Sequence, residues 1–141
     1  MRRGYEFFDH TADIGAAVRG TTLPRLFENA SRALLDLTCD RRAVRPRRGV
    51  AVLAAGSSLE DLLVRWLSEL LHLQQGDGWV FSSCRVDRVD RSRLRARGRA
   101  RGERLDPSRH RIRREVKAIT YHQIHLARVR GAWRVRIVFD V

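Results

Sequence analysis

Cysteine is scarce in this sequence. Cys39 and Cys84 stand far apart with no CxxC spacing, which excludes a disulfide framework and a thiolate zinc site and leaves them as small buried or half-buried residues. Long apolar runs are missing as well. Nowhere do about eighteen apolar residues follow one another, so no membrane-spanning helix and no membrane partner is expected. The opening MRRGYEFFDHTADIG has neither a long apolar run nor a small-residue cleavage pattern, so no secretory signal is expected and the expected location is cytoplasmic. No internal repeat, linker or low-complexity tail divides the chain, and one domain over 1-141 is expected, long enough to bury a core. Lysine is nearly absent: Lys117 is the only one among 29 Lys and Arg, against 16 Asp and Glu, for a net charge of +13. That arginine excess has two readings. It follows from codon usage in a GC-rich genome, or it makes a field that draws phosphates, acidic protein surfaces or anionic lipids.

What is present is periodic. Leu23, Leu26, Phe27, Ala30, Leu34 and Leu37 recur at three- and four-residue steps behind an N-cap at Thr21 or Thr22, which predicts a helix. A second helix is predicted from the capping box Ser57-Ser58-Leu59-Glu60, followed by the apolar stripe Leu59, Leu62, Leu63, Trp66, Leu67, Leu70 and Leu71. Strands are predicted at Tyr5 to Phe8, Ile14 to Val18, Val50 to Leu53, Trp79 to Val89, Ser92 to Arg101, Val116 to Val129 and Trp133 to Val138, the last two joined by a hairpin at Arg130-Gly131. This order implies an α+β fold of largely antiparallel sheets with two packed amphipathic helices. The segment Gly102 to Arg111, with Asp106-Pro107, reads as the mobile loop.

Four groups of residues could carry chemistry. In Asp9-His10-Thr11-Ala12-Asp13-Ile14-Gly15, acids and a histidine lie between two strands, where they either cap a turn or form a site. Asp140 ends an apolar strand, on the face it shares with Arg134 and Arg136, and sits beside the α-carboxylate of Val141. Two such anions at 4 Å repel by roughly 4 kcal/mol at an effective dielectric of about 20. They splay into water, pair with Arg134 or Arg136, or bind a cation; oxygen-only ligands favour a hard ion, calcium or magnesium. Among the histidines, His122 and His125 would point to opposite faces of a strand and so share no metal, His72 would meet the carbonyls ending the second helix, and His110 lies in the basic loop. Finally Arg91, Arg93, Arg95, Arg97, Arg99 and Arg101 alternate with small residues, which places six guanidinium groups on one strand face. Such a face is either solvated or a contact for RNA phosphates, and it lacks the aromatic platforms of single-strand binders.

Several stretches together resemble one family. Tyr5-Glu6-Phe7-Phe8-Asp9-His10-Thr11-Ala12-Asp13-Ile14-Gly15 is similar to the N-terminal signature of the archease family, and Leu37-Thr38-Cys39-Asp40 to the exit of its first helix. Glu115-Val116-Lys117-Ala118-Ile119-Thr120-Tyr121-His122 and Val138-Phe139-Asp140-Val141 resemble its C-terminal signature; Ser68 stands where asparagine is expected. The resemblance implies a non-catalytic protein cofactor that promotes guanylylation and multiple turnover of an RtcB-type RNA ligase in tRNA splicing or RNA repair. It implies association with RNA only through that ligase and no small-molecule substrate of its own. It also implies a divalent-cation site at Asp13, Asp140 and the oxygen of Val141, with Asp40 as an additional acidic position. Calcium is the ion expected there, with magnesium and manganese as alternatives. Two rival readings are a basic RNA-binding or chaperone-like module, with Arg93, Arg95, Arg97 and Arg99 as contacts, and a small metal-dependent phosphoesterase.

Overall fold

Thr22 opens the first helix in the computed structural model, which describes residues 3–10 and 12–141. The Thr22 hydroxyl accepts the Arg25 amide at 3.2 Å, and α1 (Leu23–Thr38) follows, with Pro24 in the first turn, where an amide hydrogen has no partner to lose. Its leucines, Phe27 and Ala30 are buried, as their spacing requires. The second helix, α2 (Leu59–Gly76), is capped by Ser58, whose hydroxyl accepts the Asp61 amide at 3.0 Å. The reciprocal partner is Asp61 rather than the expected Glu60, because the third position after Ser58 is Asp61. Its carboxylate accepts the Ser57 amide at 2.8 Å, and Glu60 instead accepts the Leu126 amide at 3.0 Å. The helix also runs four residues past His72, so this exposed histidine lies inside it and does not meet its terminal carbonyls, contrary to expectation.

The strands are β1 (Tyr5–His10), β2 (Asp13–Gly20), β3 (Arg48–Ala55), β4 (Trp79–Asp90), β5 (Arg95–Arg104), β6 (Ala118–Ile119), β7 (Ala127–Val129) and β8 (Ala132–Asp140). They form two antiparallel sheets, the first ordered β1-β2-β8-β6 with β7 also on β8, the second β3-β5-β4. The helices lie between them: α1 packs on β1, β2 and β8 and also on β4, while α2 packs on β3, β4 and β5 and also on β6. The expected α+β fold is therefore a sheet–helix–sheet sandwich with one main core and a small satellite cluster of Cys39, Val44 and Val80. Trp66 anchors it, fully buried, with its indole N–H donating to the Ser31 hydroxyl at 2.8 Å.

Three strand expectations change. The stretch 116–129 is not one strand: β6 ends at Ile119, Gln123 takes a positive φ, and pairing resumes only at Ala127. Tyr121 donates to the Asp61 carboxylate at 2.6 Å, and with the Glu60–Leu126 bond this ties the intervening loop to the start of α2. The arginine strand begins at Arg95, not Ser92, because residues 91–94 turn around the Asp90 carboxylate, which accepts the amides of Ser92 and Arg93. The segment expected to be a mobile loop, Gly102 to Arg111, begins as strand, its first three residues ending β5. Its remainder is held by buried Glu103, which accepts the Arg45 amide at 2.8 Å and pairs with Arg109 at 2.7 Å and His110 at 2.9 Å. The Arg109 guanidinium and the Arg45 amide hold the Glu103 carboxyl down at about 2. Both cysteines are free, Cys39 buried and Cys84 half-buried, as their isolation implied.

Candidate functional site

Alternation along a strand assigns each side chain of the first sheet to one of two faces. Tyr5, Ala16, Val18, Val135, Ile137 and Phe139 face the helices and are buried. Glu6, Phe8, His10, Asp13, Ala17, Arg136 and Asp140 therefore face outward. Register then decides which of these meet. His10 is opposite Asp13 across β1 and β2. Ile14 is opposite Phe139 across β2 and β8, so the next rung sets Asp13 beside Asp140. Asp140 is in turn opposite Ala118 of β6, and its carbonyl accepts the Lys117 amide at 2.7 Å. One outward rung thus collects His10, Asp13 and Asp140 from three neighbouring strands, although the two aspartates are far apart in sequence. Val141 follows directly and packs partly against the core, which fixes its main chain beside the rung.

Neither of the arginines that share the Asp140 face pairs with it: Arg134 is exposed, and Arg136 is engaged elsewhere. Arg136 lies four residues back along β8, about 13 Å at strand rise, with its guanidinium 4.0 Å above the Phe8 ring. Phe8 in turn occupies the space over Gly15, where a Cβ would fall 2.0 Å from the ring, so any larger residue there would displace it. Among the described residues, no arginine lies within ion-pair distance of Asp140.

His10 is the part of the site that sequence reasoning left without a role. Its Nδ1 is shielded from solvent, has no hydrogen-bond partner, and stands 3.7 Å from Asp13 Oδ2, too long for a hydrogen bond. Its ring meets the exposed His122 ring edge-on, centroids 4.9 Å apart and planes at 67°. His122 reaches it because Tyr121, next in the chain, is anchored on Asp61. The Tyr121 hydroxyl, followed by the Ser57 amide, holds the Asp61 carboxyl well below the usual range, and the carboxylate raises the tyrosine in return. Reading 116–129 as a strand hid this contact. His122 and His125 do diverge, the latter lying 3.8 Å from Glu60, but they do so on a loop.

Asp40 is not brought to the rung. It caps the short 3-10 turn Arg41–Ala43, accepting the Arg42 amide and side chain at 3.1 and 3.2 Å, with Arg113 at 3.9 Å. Arg42 holds its carboxyl below the usual range. This region is a basic groove beside Arg3, Arg32 and Arg41 on the α1 side of the sheet.

The arginine ladder faces outward from the second sheet. Four of its six members, Arg95, Arg97, Arg99 and Arg101, are exposed on one face of β5. Arg91 and Arg93 belong to the turn before it, with Arg91 stacked 5.2 Å over the Trp133 ring. Register adds Arg85 opposite Arg99 and Arg88 opposite Arg97, which the sequence pattern did not include.

Comparison with known proteins rests on nearly the whole length. The family model described as the archease protein family (MTH1598/TM1083) matches residues 5–141. The chain belongs to the archease family. The protein archease of Sulfolobus acidocaldarius is 36% identical over 137 residues, covering 97% of this chain and 98% of its own. That of Pyrococcus furiosus is 37% identical, covering 99% of each. The solution structure of Methanobacterium thermoautotrophicum protein 1598 superposes with a TM-score of 0.78 at 30% identity, covering 99% of each chain. The crystal structure of an archease and possible chaperone from Thermotoga maritima covers 95% of this chain and 94% of its own, with a TM-score of 0.65 at 22% identity, a likeness of fold alone. No helix of the described residues is long and apolar enough to cross a membrane.

The rung can be tested against the cation that archease membership implies. Asp13 and Asp140 are two hard oxygen donors on one face with no competing arginine among the described residues, which fits a calcium-like ion. Among the described residues, however, no three His, Cys, Asp or Glu side chains converge as a metal centre.

Proposed function

We propose that this chain is a non-catalytic activator of an RtcB-type RNA ligase in tRNA splicing or RNA repair, promoting guanylylation and multiple turnover of that enzyme. The observation that carries the reading is the outward rung on which Asp13 and Asp140 become neighbours, with no arginine among the described residues to neutralise them. Membership of the archease family supports it.

Asp13, Asp140 and the oxygen of Val141 would hold a divalent cation, calcium first, with magnesium or manganese as alternatives. When bound, that ion supplies charge neutralisation at a phosphoryl-transfer centre, chemistry that depends chiefly on positioning. The chain's own contribution is geometric. Sheet pairing would hold both carboxylates on one face, with the His10 ring beside Asp13 and the His122 ring against His10. Asp40, committed to Arg42 and Arg113, has no part in this. At the rung, RNA would be reached through the ligase, and the chain would act on no small molecule itself.

The test is guanylylation of the cognate ligase with and without the chain. Asp13→Ala and Asp140→Ala should each abolish the stimulation while leaving the melting temperature near that of the parent, and each should weaken calcium binding measured by calorimetry. Normal stimulation by either variant would remove the rung from the function. No stimulation by the parent chain would end the ligase reading altogether.

A further inference from the structure

The outer face of the second sheet is the largest feature that ligase activation through the acidic rung does not use. Arg95, Arg97, Arg99 and Arg101 stand at two-residue steps, about 7 Å apart along β5, close to the separation of consecutive phosphates along a nucleic-acid strand. Arg85 and Arg88 form a second row on β4, one strand spacing away. Among the described residues, none of the four on β5 has a carboxylate within 4 Å. The second row is only lightly neutralised, Arg85 by Asp87 at 4.0 Å and Arg88 by Asp90 at 3.3 Å.

The third strand makes room for these side chains. The β3 residues opposite the β5 arginines are Gly49, Ala51, Leu53 and Ala55, three of them small. Arg99 lies across Gly49, where a Cβ would come within 2.7 Å of its guanidinium. Long cationic side chains with small neighbours and few counter-charges repel one another unless an anion of matching repeat lies over them.

The chemistry of the face narrows that anion. It carries no aromatic ring, so it offers no stacking platform to a single strand, nor the Trp and Tyr anchors that dominate protein interfaces. It carries no Asn or Gln for reading base edges, and no helix projects from it to enter the major groove of B-DNA. A flat field of guanidinium groups suits the broad, shallow groove and flanking phosphates of an A-form helix. We infer that the outer face of the second sheet binds the phosphodiester backbone of duplex RNA without sequence preference. The inference rests on this face alone and stands independently of the ligase reading.

The experiment is a fluorescence anisotropy titration of a labelled 20-base-pair RNA duplex with the full chain at several salt concentrations. The ladder variant R95Q/R97Q/R99Q/R101Q is compared with R19Q/R114Q/R130Q/R134Q, which removes four exposed arginines elsewhere on the surface. Both should keep the parent's circular dichroism and melting profile, since every substituted side chain is exposed. The ladder variant should bind at least about tenfold more weakly, and the slope of log affinity against log salt should shrink by about 3 to 4, one counterion per lost contact. Asp13→Ala should bind RNA as the parent does, which separates failure of this proposal from failure of the rung. Equal losses in the two quadruple variants would reduce the binding to net charge and overturn the proposal. So would tighter binding of a single strand or of duplex DNA, or displacement of the RNA by poly-glutamate at equal charge.

Discussion

The first sheet presents an acidic rung and the second an arginine face, and the two assemble their charges by opposite means. On the second sheet the arginines sit on consecutive rungs of one strand, so four of the six charges follow from a local alternation visible in ten residues. On the first sheet the acidic rung draws His10, Asp13 and Asp140 from three strands and His122 from a loop, the two aspartates standing 127 positions apart in the sequence (140 − 13). A local pattern tolerates loss of one member; a rung built by long-range pairing has one residue per strand and no spare.

That contrast can be broken most forcefully at the rung. Replacing Asp13 and Asp140 together with Asn should cut ligase stimulation by about a hundredfold or more, the scale on which misplacing a positioning group acts, whereas the ladder variant should keep most of it. Loss of stimulation in the ladder variant but not in the rung variant would invert the assignment of the two faces. Next comes the layer both sheets share. Trp66→Ala should cost about 3–5 kcal/mol in chemical denaturation, as large core truncations do, and should weaken ion and RNA binding together; loss of only one would mean the sheets are held independently.

Acid should separate the faces. Glu103 closes the end of β5, and its carboxyl is held at about 2 by Arg109, well below its usual 4.5. A depressed carboxylate contributes stability that is complete above its unfolded pKa and is lost as pH falls through the folded one. Melting temperature should therefore drop between about pH 5 and 2, and Glu103→Gln should flatten part of that slope; an unchanged slope would assign the acid response to other carboxylates. The smallest effect is expected at Tyr121→Phe, which removes one hydrogen bond to Asp61 and should cost about 1 kcal/mol. Its useful readout is local: the His10 and His122 ring resonances should shift if the Tyr121 anchor sets their contact, and should stay put if it does not.

Both helices were legible because burial at three- and four-residue steps needs no knowledge of the partner. The fold class followed from element order, and the face of Asp140 from the alternation of Trp133, Val135, Ile137 and Phe139. The errors lie where a long-range contact overrides a local signal. Val116, Ile119, Ile124 and Leu126 supply the apolar residues of a strand, yet two carboxylates at the start of α2 capture the Tyr121 hydroxyl and the Leu126 amide and hold the segment as a loop. Asp106-Pro107 has the composition of a mobile turn, but Glu103 fastens Arg109 and His110 just beyond it, and nothing local marks Glu103 as buried. The site was half legible. Asp13 and Asp140 were identifiable as odd placements of charge, while the orphaned nitrogen of His10 and its contact with His122 required the register of three strands. Asp40 shows the reverse limit: an acid close to the family pattern turns out to be occupied by its arginine neighbours.

The rung has a kinetic side as well. Ile14 and Phe139, the pair next to it, are separated by 125 residues (139 − 14), and contacts of such sequence separation form late because a long loop must be closed before they return any energy. On that ground the acidic pair would be absent from a half-folded chain. An ion that needs both aspartates would bind only the finished sheet and would hold it closed by mass action, so readiness to engage a partner and completion of folding would be signalled by the same event.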